Sequence, residues 1–264
     1  MSVEDEIPLS GGNVNARVVR IGNTVRRNLT ATSPTAHRLL LHLEAKGFKG
    51  SPRFLGIDEK HREVTTFIEG ATGIPATIWQ HDTAVIAAAN LLRQYHDATV
   101  DFVPTNETAW AYVYPDTAKH EVLCHNDFAP YNFIYTTDVP IAVVDFDLAG
   151  PGPRLRDVAY AVYWMTPMSF NSGDQIAFAE ADMKAGSRRL KLFCAVYGLS
   201  PDTKLLDMID EVLAFMGDEE KMRQVVGVTA AAKLKQEGHL EHWQRERASY
   251  QRQRANLAAN LYAD

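Results

Sequence analysis

The chain has 264 residues, 46% apolar and 23% charged, with a formal net charge of −6; this is globular composition, long enough for one large domain or two lobes. The acidic balance argues against a general nucleic-acid binder, and no apolar run approaches the roughly 18 residues of a membrane span. The start MSVEDEIPLS lacks the apolar core of a signal peptide, and Cys124 and Cys194 have neither disulfide-framework nor metal spacing, so both read as buried thiols of a cytoplasmic protein.

The first part reads as β structure. LSGGNVN is a small-residue loop, and ARVVRIGNTVRRNL is two apolar runs around Gly22-Asn23, a hairpin pattern. In SPTAHRLLLHLEAKGF, Ser33 caps a helix, Pro34 opens it and Gly47 stops it, with Leu39, Leu40 and Leu43 on the buried side. PRFLGIDEKHREVTTFIEG reads as strand, turn, strand. After Gly70 helices dominate. The first of them, DTAVIAAANLLRQYHDAT, is capped by Asp82. Tyr95 and Trp79 read as core, and His96 as a packing or capping residue. Later helices cover SRRLKLFCAVYGL, DTKLLDMIDEVLAFMGD and the stretch from about Glu219 to the end, broken near Gly238. The composition change near Glu69-Gly70 divides the chain into 1–69, a small β-rich lobe, and 70–264, a larger helical lobe.

The stretch CHNDFAPYNFIY, residues 124–135, sets polar residues on a tight loop between apolar strands. A loop held by strands is a rigid platform for reactive groups. Downstream, Ile141 to Val144 read as a buried strand that delivers Asp145 to its end. A carboxylate and an amide carbonyl are hard oxygen ligands that suit Mg²⁺ and its phosphate partners. Asn132 and Asp145 could share that metal, and Asp127 would then accept a proton from an attacking hydroxyl. This division of labour suits phosphoryl transfer.

HNDFAPYN followed by VVDFD resembles the paired motifs of the aminoglycoside phosphotransferase-like family. The matching residues are His125, Asp127, Asn132, Asp145 and Asp147, with Asp157 in the later DVAY. The resemblance covers most of the chain. It implies an α+β, two-lobed protein-kinase-like fold and an ATP- or GTP-dependent, Mg²⁺-assisted phosphotransferase acting on a hydroxyl of a small molecule, such as an aminoglycoside or another amino alcohol. It implies Asp127 as catalytic base and Asn132 and Asp145 as metal ligands. Asp147 reaches a second Mg²⁺ or braces the loop, and His125 ties the loop to the Asp145 segment. Asp157 is a helix cap or a loop brace. Thr66 would offer its carbonyl and Ile68 its N–H to adenine, with Thr65 behind them. Gly11 and Gly12, in SGGN, would lie over the phosphates.

The sequence departs from the family on the phosphate-anchoring side. The lysine of the third strand is replaced in TVRRN by Arg26 and Arg27, of which Arg27 is favoured. The helix that supplies the family's glutamate partner has His37 near that place, and Glu44 lies about two turns on. A non-catalytic nucleotide-binding or immunity-type protein on the same fold is therefore the alternative. A protein kinase fits less well, since no long segment lies between Asp145 and Asp157 to dock a peptide. Glu237 and Glu241 could line a pocket for a cationic substrate, and read more simply as a solvated helix face. The oligomeric state has no signature in the sequence.

Overall fold

The computed structural model describes residues 6–9, 18–105, 108–166 and 180–262. It opens with a five-stranded sheet ordered β1-β2-β3-β5-β4, in which β1 is Ile7–Pro8, β2 Val19–Ile21, β3 Thr24–Asn28, β4 Phe54–Ile57 and β5 Arg62–Thr66. Every pairing is antiparallel. The β2–β3 turn is Gly22-Asn23 as expected, and Gly22 has a φ of 56°, which glycine adopts without steric cost. Helix α1 (Ser33–Ala45) crosses between β3 and β4 and buries Leu39, Leu40 and Leu43.

The remaining elements are α2 (Asp82–Thr99), β6 (Val122–Cys124), β7 (Phe133–Thr136), β8 (Val139–Val143), β9 (Gly150–Gly152) and helices α3 to α8. The helices are α3 (Arg154–Met165), α4 (Glu180–Tyr197), α5 (Thr203–Met216), α6 (Glu219–Val226), α7 (Val228–Gln236) and α8 (His239–Tyr262). Helix α2 packs on α4, and α5 packs on α8 and α3. Leu92, Val162, Leu190, Phe193, Leu213 and Tyr250 are fully buried at these contacts. One apolar core runs from Leu39 and Leu43 of α1 through α2 to α8, with Phe54 of β4 packed against it, so α1 ties the sheet-bearing part to the helical part. This is the two-lobed α+β kinase-like arrangement that the motifs implied, a sheet-bearing part followed by a helical part.

Several local expectations need correction. Ser33 does not cap α1: the N-cap is Thr32, without a side-chain bond, and Ser33 Oγ accepts the Thr30 N–H at 2.8 Å. Asp82 is the first residue of α2 rather than its cap, and its carboxylate pairs with Arg188 at 2.7 Å. Both helices start one residue from the expected place because other partners claim these oxygens. The strand before Asp145 is not buried throughout. β8 is one arm of a hairpin with β7, and alternation leaves Ile141 exposed while Ala142 and Val143 are buried. The C-terminal helices break at Gly238 as expected, and at Gly227 as well, both with positive φ. Glu237 and Glu241 are exposed.

Candidate active site

The loop of residues 125–132 leaves β6 and enters β7. β6 is held by β9 and β7 by β8, so two separate ladders fix the ends of the loop. Its interior is fixed by Asp157, which is fully buried in the first turn of α3. One carboxylate oxygen accepts the His125 N–H at 2.6 Å and the other accepts the Asn126 N–H at 2.8 Å. His96 Nε2 lies 3.0 Å from the same carboxylate, and His96 Nδ1 lies 2.7 Å from the Tyr197 hydroxyl. Burial works to raise the Asp157 pKa, but the His96 hydrogen bond, with His125 behind it, holds it below the usual range. Asp157 is thus a loop brace, not a cap, and His96 is its partner. His96, Cys124 and Asp157 are also close enough together to hold a metal ion, but all three are buried and their polar atoms already have protein partners.

His125 is buried and makes the link expected of it. Its Nε2–H donates to the Val144 carbonyl at 3.1 Å, and its Nδ1 accepts the Asp127 N–H at 3.3 Å. Burial lowers its pKa to about 4, so the ring is neutral at pH 7. The Val144 N–H donates to the Asn132 carbonyl at 2.9 Å. The residue before Asp145 is therefore bonded to both ends of the loop, and this brings Asp127, Asn132 and Asp145 to one place. Asp145 has φ 67° and ψ 69°, a left-handed conformation that costs a non-glycine residue on the order of 1 kcal/mol.

Asp127 accepts on both oxygens. Asn132 Nδ2 donates to Oδ2 at 2.8 Å, and the Tyr131 hydroxyl donates to Oδ1. Burial raises the Asp127 pKa to about 7, and the charge of Asp145 adds to the rise. Burial and Asp147 likewise raise the Asp145 pKa, against Arg27. With the amide nitrogen of Asn132 committed to Asp127, its side-chain oxygen Oδ1 meets no hydrogen-bond donor among the described residues. An amide oxygen and carboxylates crowded enough to resist ionisation form a donor set that fits a hard divalent cation.

Arg27, not Arg26, faces this cluster. Its Nε donates to Glu63 at 2.6 Å, and Nη1 and Nη2 hold Asp147 at 2.9 and 2.7 Å, with Nη1 also 3.2 Å from Asp145. Arg26 lies on the other face, 3.6 Å from Asp58. Burial works against the charge of Arg27, but Asp147, Glu63 and Asp145 outweigh it and raise its pKa. Glu63 is the cross-strand neighbour of Arg27 and also takes the His37 Nε2–H at 2.7 Å, while the His37 ring stacks on Phe54. The helix thus supplies His37, the adjacent strand supplies the carboxylate, and Glu44 is paired with Arg53 instead. Asp147 gives both oxygens to Arg27 and braces the loop against the sheet.

At the connection after β5, the Thr66 N–H donates to the Arg53 carbonyl, and the Arg53 N–H goes to the Thr66 hydroxyl rather than to its carbonyl, both at 2.9 Å. Phe67 N–H bonds Asn23, while Ile68 follows with its N–H outside the strand ladder. Thr65 is buried beside Val25. Gly11 and Gly12 lie outside the described residues. Sequence reasoning missed Glu63 and Tyr131. An Arg-Glu cross-strand pair would have pointed to Glu63 had the β3–β5 register been known. Tyr131 sits inside the quoted motif, but the spacing alone does not reveal the direction of its hydroxyl.

A small sheet followed by a helical body, with Asp127, Asn132 and Asp145 drawn together and Arg27 reaching Asp145 from the sheet, is the arrangement that the phosphotransferase motifs implied. The model of the phosphotransferase enzyme family matches residues 106–193. The trifolitoxin immunity protein of Rhizobium leguminosarum bv. trifolii is 31% identical over 204 residues, covering 75% of this chain and 76% of that protein. The chain belongs to the phosphotransferase enzyme family. Among solved structures, the amicoumacin kinase hAmiN in complex with AMP-PNP, Ca²⁺ and its ligand superposes with a TM-score of 0.63 at 13% identity, over 94% of this chain and 89% of that one. The Plasmodium vivax ethanolamine kinase superposes with a TM-score of 0.55 at 13% identity, over 94% and 81%. At these identities the likeness is one of fold. Among the described residues no helix is long and apolar enough to cross a membrane.

Proposed function

We propose that this protein is an ATP- or GTP-dependent, Mg²⁺-assisted O-phosphotransferase that acts on a hydroxyl of a small molecule, with aminoglycosides and other amino alcohols as the acceptor class. The observation that carries the reading is the meeting of Asp127, Asn132 and Asp145 through the Val144 hydrogen bonds. Asn132 and Asp145 would hold the metal, which supplies charge neutralisation at the phosphates. Asp127 accepts the proton of the acceptor hydroxyl, a task suited to a carboxyl whose pKa lies near neutrality. The Thr66 carbonyl and the Ile68 N–H bind the purine, which fits the diversion of the Arg53 N–H to the Thr66 hydroxyl. Arg27 supplies the fixed positive charge on the phosphate side, and Gly11 and Gly12 cover the phosphates. Nucleotide use fits a cytoplasmic protein.

A second reading has its own support. Similarity to an immunity protein, together with an Arg27 spent on Asp147, favours a chain that binds nucleotide and protects without phosphate transfer. A panel of hydroxylated acceptors assayed with ATP and with GTP separates the two. Acceptor-dependent release of nucleoside diphosphate above background supports the enzyme. Mg²⁺-dependent nucleotide binding with no such release from any acceptor supports the immunity-type protein.

A further inference from the structure

Both oxygens of the Asp127 carboxylate are satisfied from within the chain. Asn132 Nδ2 holds Oδ2, and the same amide orients the Asn132 carbonyl oxygen for its ligand role, so that bond stays when an acceptor binds. Oδ1 is the place left for an acceptor hydroxyl, and the Tyr131 hydroxyl is in it. The one proton of Tyr131 goes to Asp127, so the Tyr160 hydroxyl, 2.9 Å away, must be the donor in its bond with Tyr131. Tyr160 is 2% exposed and fixed in α3, whereas Tyr131 is 39% exposed and packs edge-on to Trp164 with ring centroids 5.4 Å apart. One side of the Tyr131 ring therefore faces open space into which it can turn.

We propose that the Tyr131 hydroxyl is a stand-in for the acceptor hydroxyl: it occupies Oδ1 of Asp127 until the acceptor displaces it, and in the meantime it keeps water from the base. The proposal rests on the phosphotransferase reading. Water attack would form a bond from the water oxygen to the γ-phosphorus, break the bond from that phosphorus to the bridging oxygen, release nucleoside diphosphate and leave a proton on Asp127. A water molecule needs the same carboxylate oxygen as an alcohol does. Tyr131 therefore guards the triphosphate against wasteful hydrolysis, and a true acceptor differs from water in binding tightly enough to move the tyrosine aside.

The test is Tyr131→Phe, which keeps the ring against Trp164 and removes only the hydroxyl. Nucleoside diphosphate release from Mg²⁺–ATP is measured without acceptor, alongside calorimetric binding of Mg²⁺–AMP-PNP. The expected result is hydrolysis faster by about tenfold or more, since a general base commonly contributes at least that much, with nucleotide affinity unchanged. Adding Asp127→Asn to Tyr131→Phe should return the rate to background. Unchanged or slower hydrolysis in Tyr131→Phe, with nucleotide still bound, overturns the stand-in and leaves the phosphotransferase reading intact. A phosphorylated Tyr131 in the wild-type protein after incubation with Mg²⁺–ATP, seen as peptide mass, also overturns it, because the tyrosine would then be an acceptor itself. Failure of both proteins to bind either Mg²⁺–AMP-PNP or its guanine counterpart Mg²⁺–GMP-PNP overturns the phosphotransferase reading and the stand-in together.

Discussion

The loop that carries Asp127 and the sheet that carries Arg27 meet at the same two aspartates, Asp145 and Asp147, but they are held by different means. The loop is fixed by buried bonds between backbone and side chain. Asp157 takes two N–H groups, and His125 bonds a carbonyl on one side and an N–H on the other. The sheet side reaches them through side chains, in a run of bonds from His37 to Glu63 to Arg27 to Asp147. Backbone bonds tie a loop to one geometry. A run of side-chain bonds can be rebuilt from other residues provided that donors and acceptors still alternate. That difference accounts for where the sequence follows the family pattern and where it departs from it.

The largest effect is expected on the loop side. Asp157→Ala leaves the His125 and Asn126 N–H groups and the His96 ring without their buried acceptor. Breaking such a set costs about 3–5 kcal/mol, a fall in melting temperature on the order of 10 °C for a chain of this size. Differential scanning calorimetry would show it, and a fall of only a degree or two would mean that the loop is held by its strands alone.

A related effect comes from pH. His125 is neutral in the fold, with its pKa lowered from 6.5 to about 4. A depressed pKa contributes stability that is fully present above 6.5 and is lost as pH falls towards 4, because the unfolded chain takes up the proton first. A shift of that size is worth about 3 kcal/mol. The Asp127 carboxyl, held near 7, works in the opposite sense over the same window, so the His125 contribution is read from the ring itself: an NMR titration should show His125 neutral down to about pH 5, and a midpoint near 6.5 would contradict a buried neutral His125.

The sheet side should be more forgiving. Arg27→Ala removes the partner of Glu63 and Asp147, but Asp145 and Asp147 retain access to water and ions, so the cost should be about 2 kcal/mol. Arg27→Lys should recover part of this, since an ammonium restores the charge without the two-pronged hold on Asp147. Urea unfolding of the three proteins orders them. If Arg27→Ala costs as much as Asp157→Ala, the contrast between the two sides fails.

The same contrast explains what was legible in the sequence. Asp127, Asn132 and Asp145 could be read because their spacing along the chain already encodes the loop and the strand end. His125 could be read as a brace for the same reason, while Asp157 could be read only as a helix cap or a brace. Arg27 could not be separated from Arg26, because a strand alternates faces and the register was unknown. Glu63 was missed because its partner lies 36 positions away across a sheet. Asp82 and Ser33 have the chemistry of caps, but Arg188 holds the carboxylate of Asp82 across the fold and the nearby Thr30 N–H holds the Ser33 oxygen.

The central claim is that Asp145 and Asn132 hold the metal of a nucleotide site while Asp127, which an asparagine can replace in its bond to Asn132, supplies the base. Calorimetric titration with AMP-PNP, with and without Mg²⁺, on the wild type, Asp127→Asn and Asp145→Ala tests it most directly. The account predicts Mg²⁺-dependent binding of similar affinity to the wild type and to Asp127→Asn, and loss of that binding in Asp145→Ala. Equal binding by all three proteins irrespective of Mg²⁺ would contradict it.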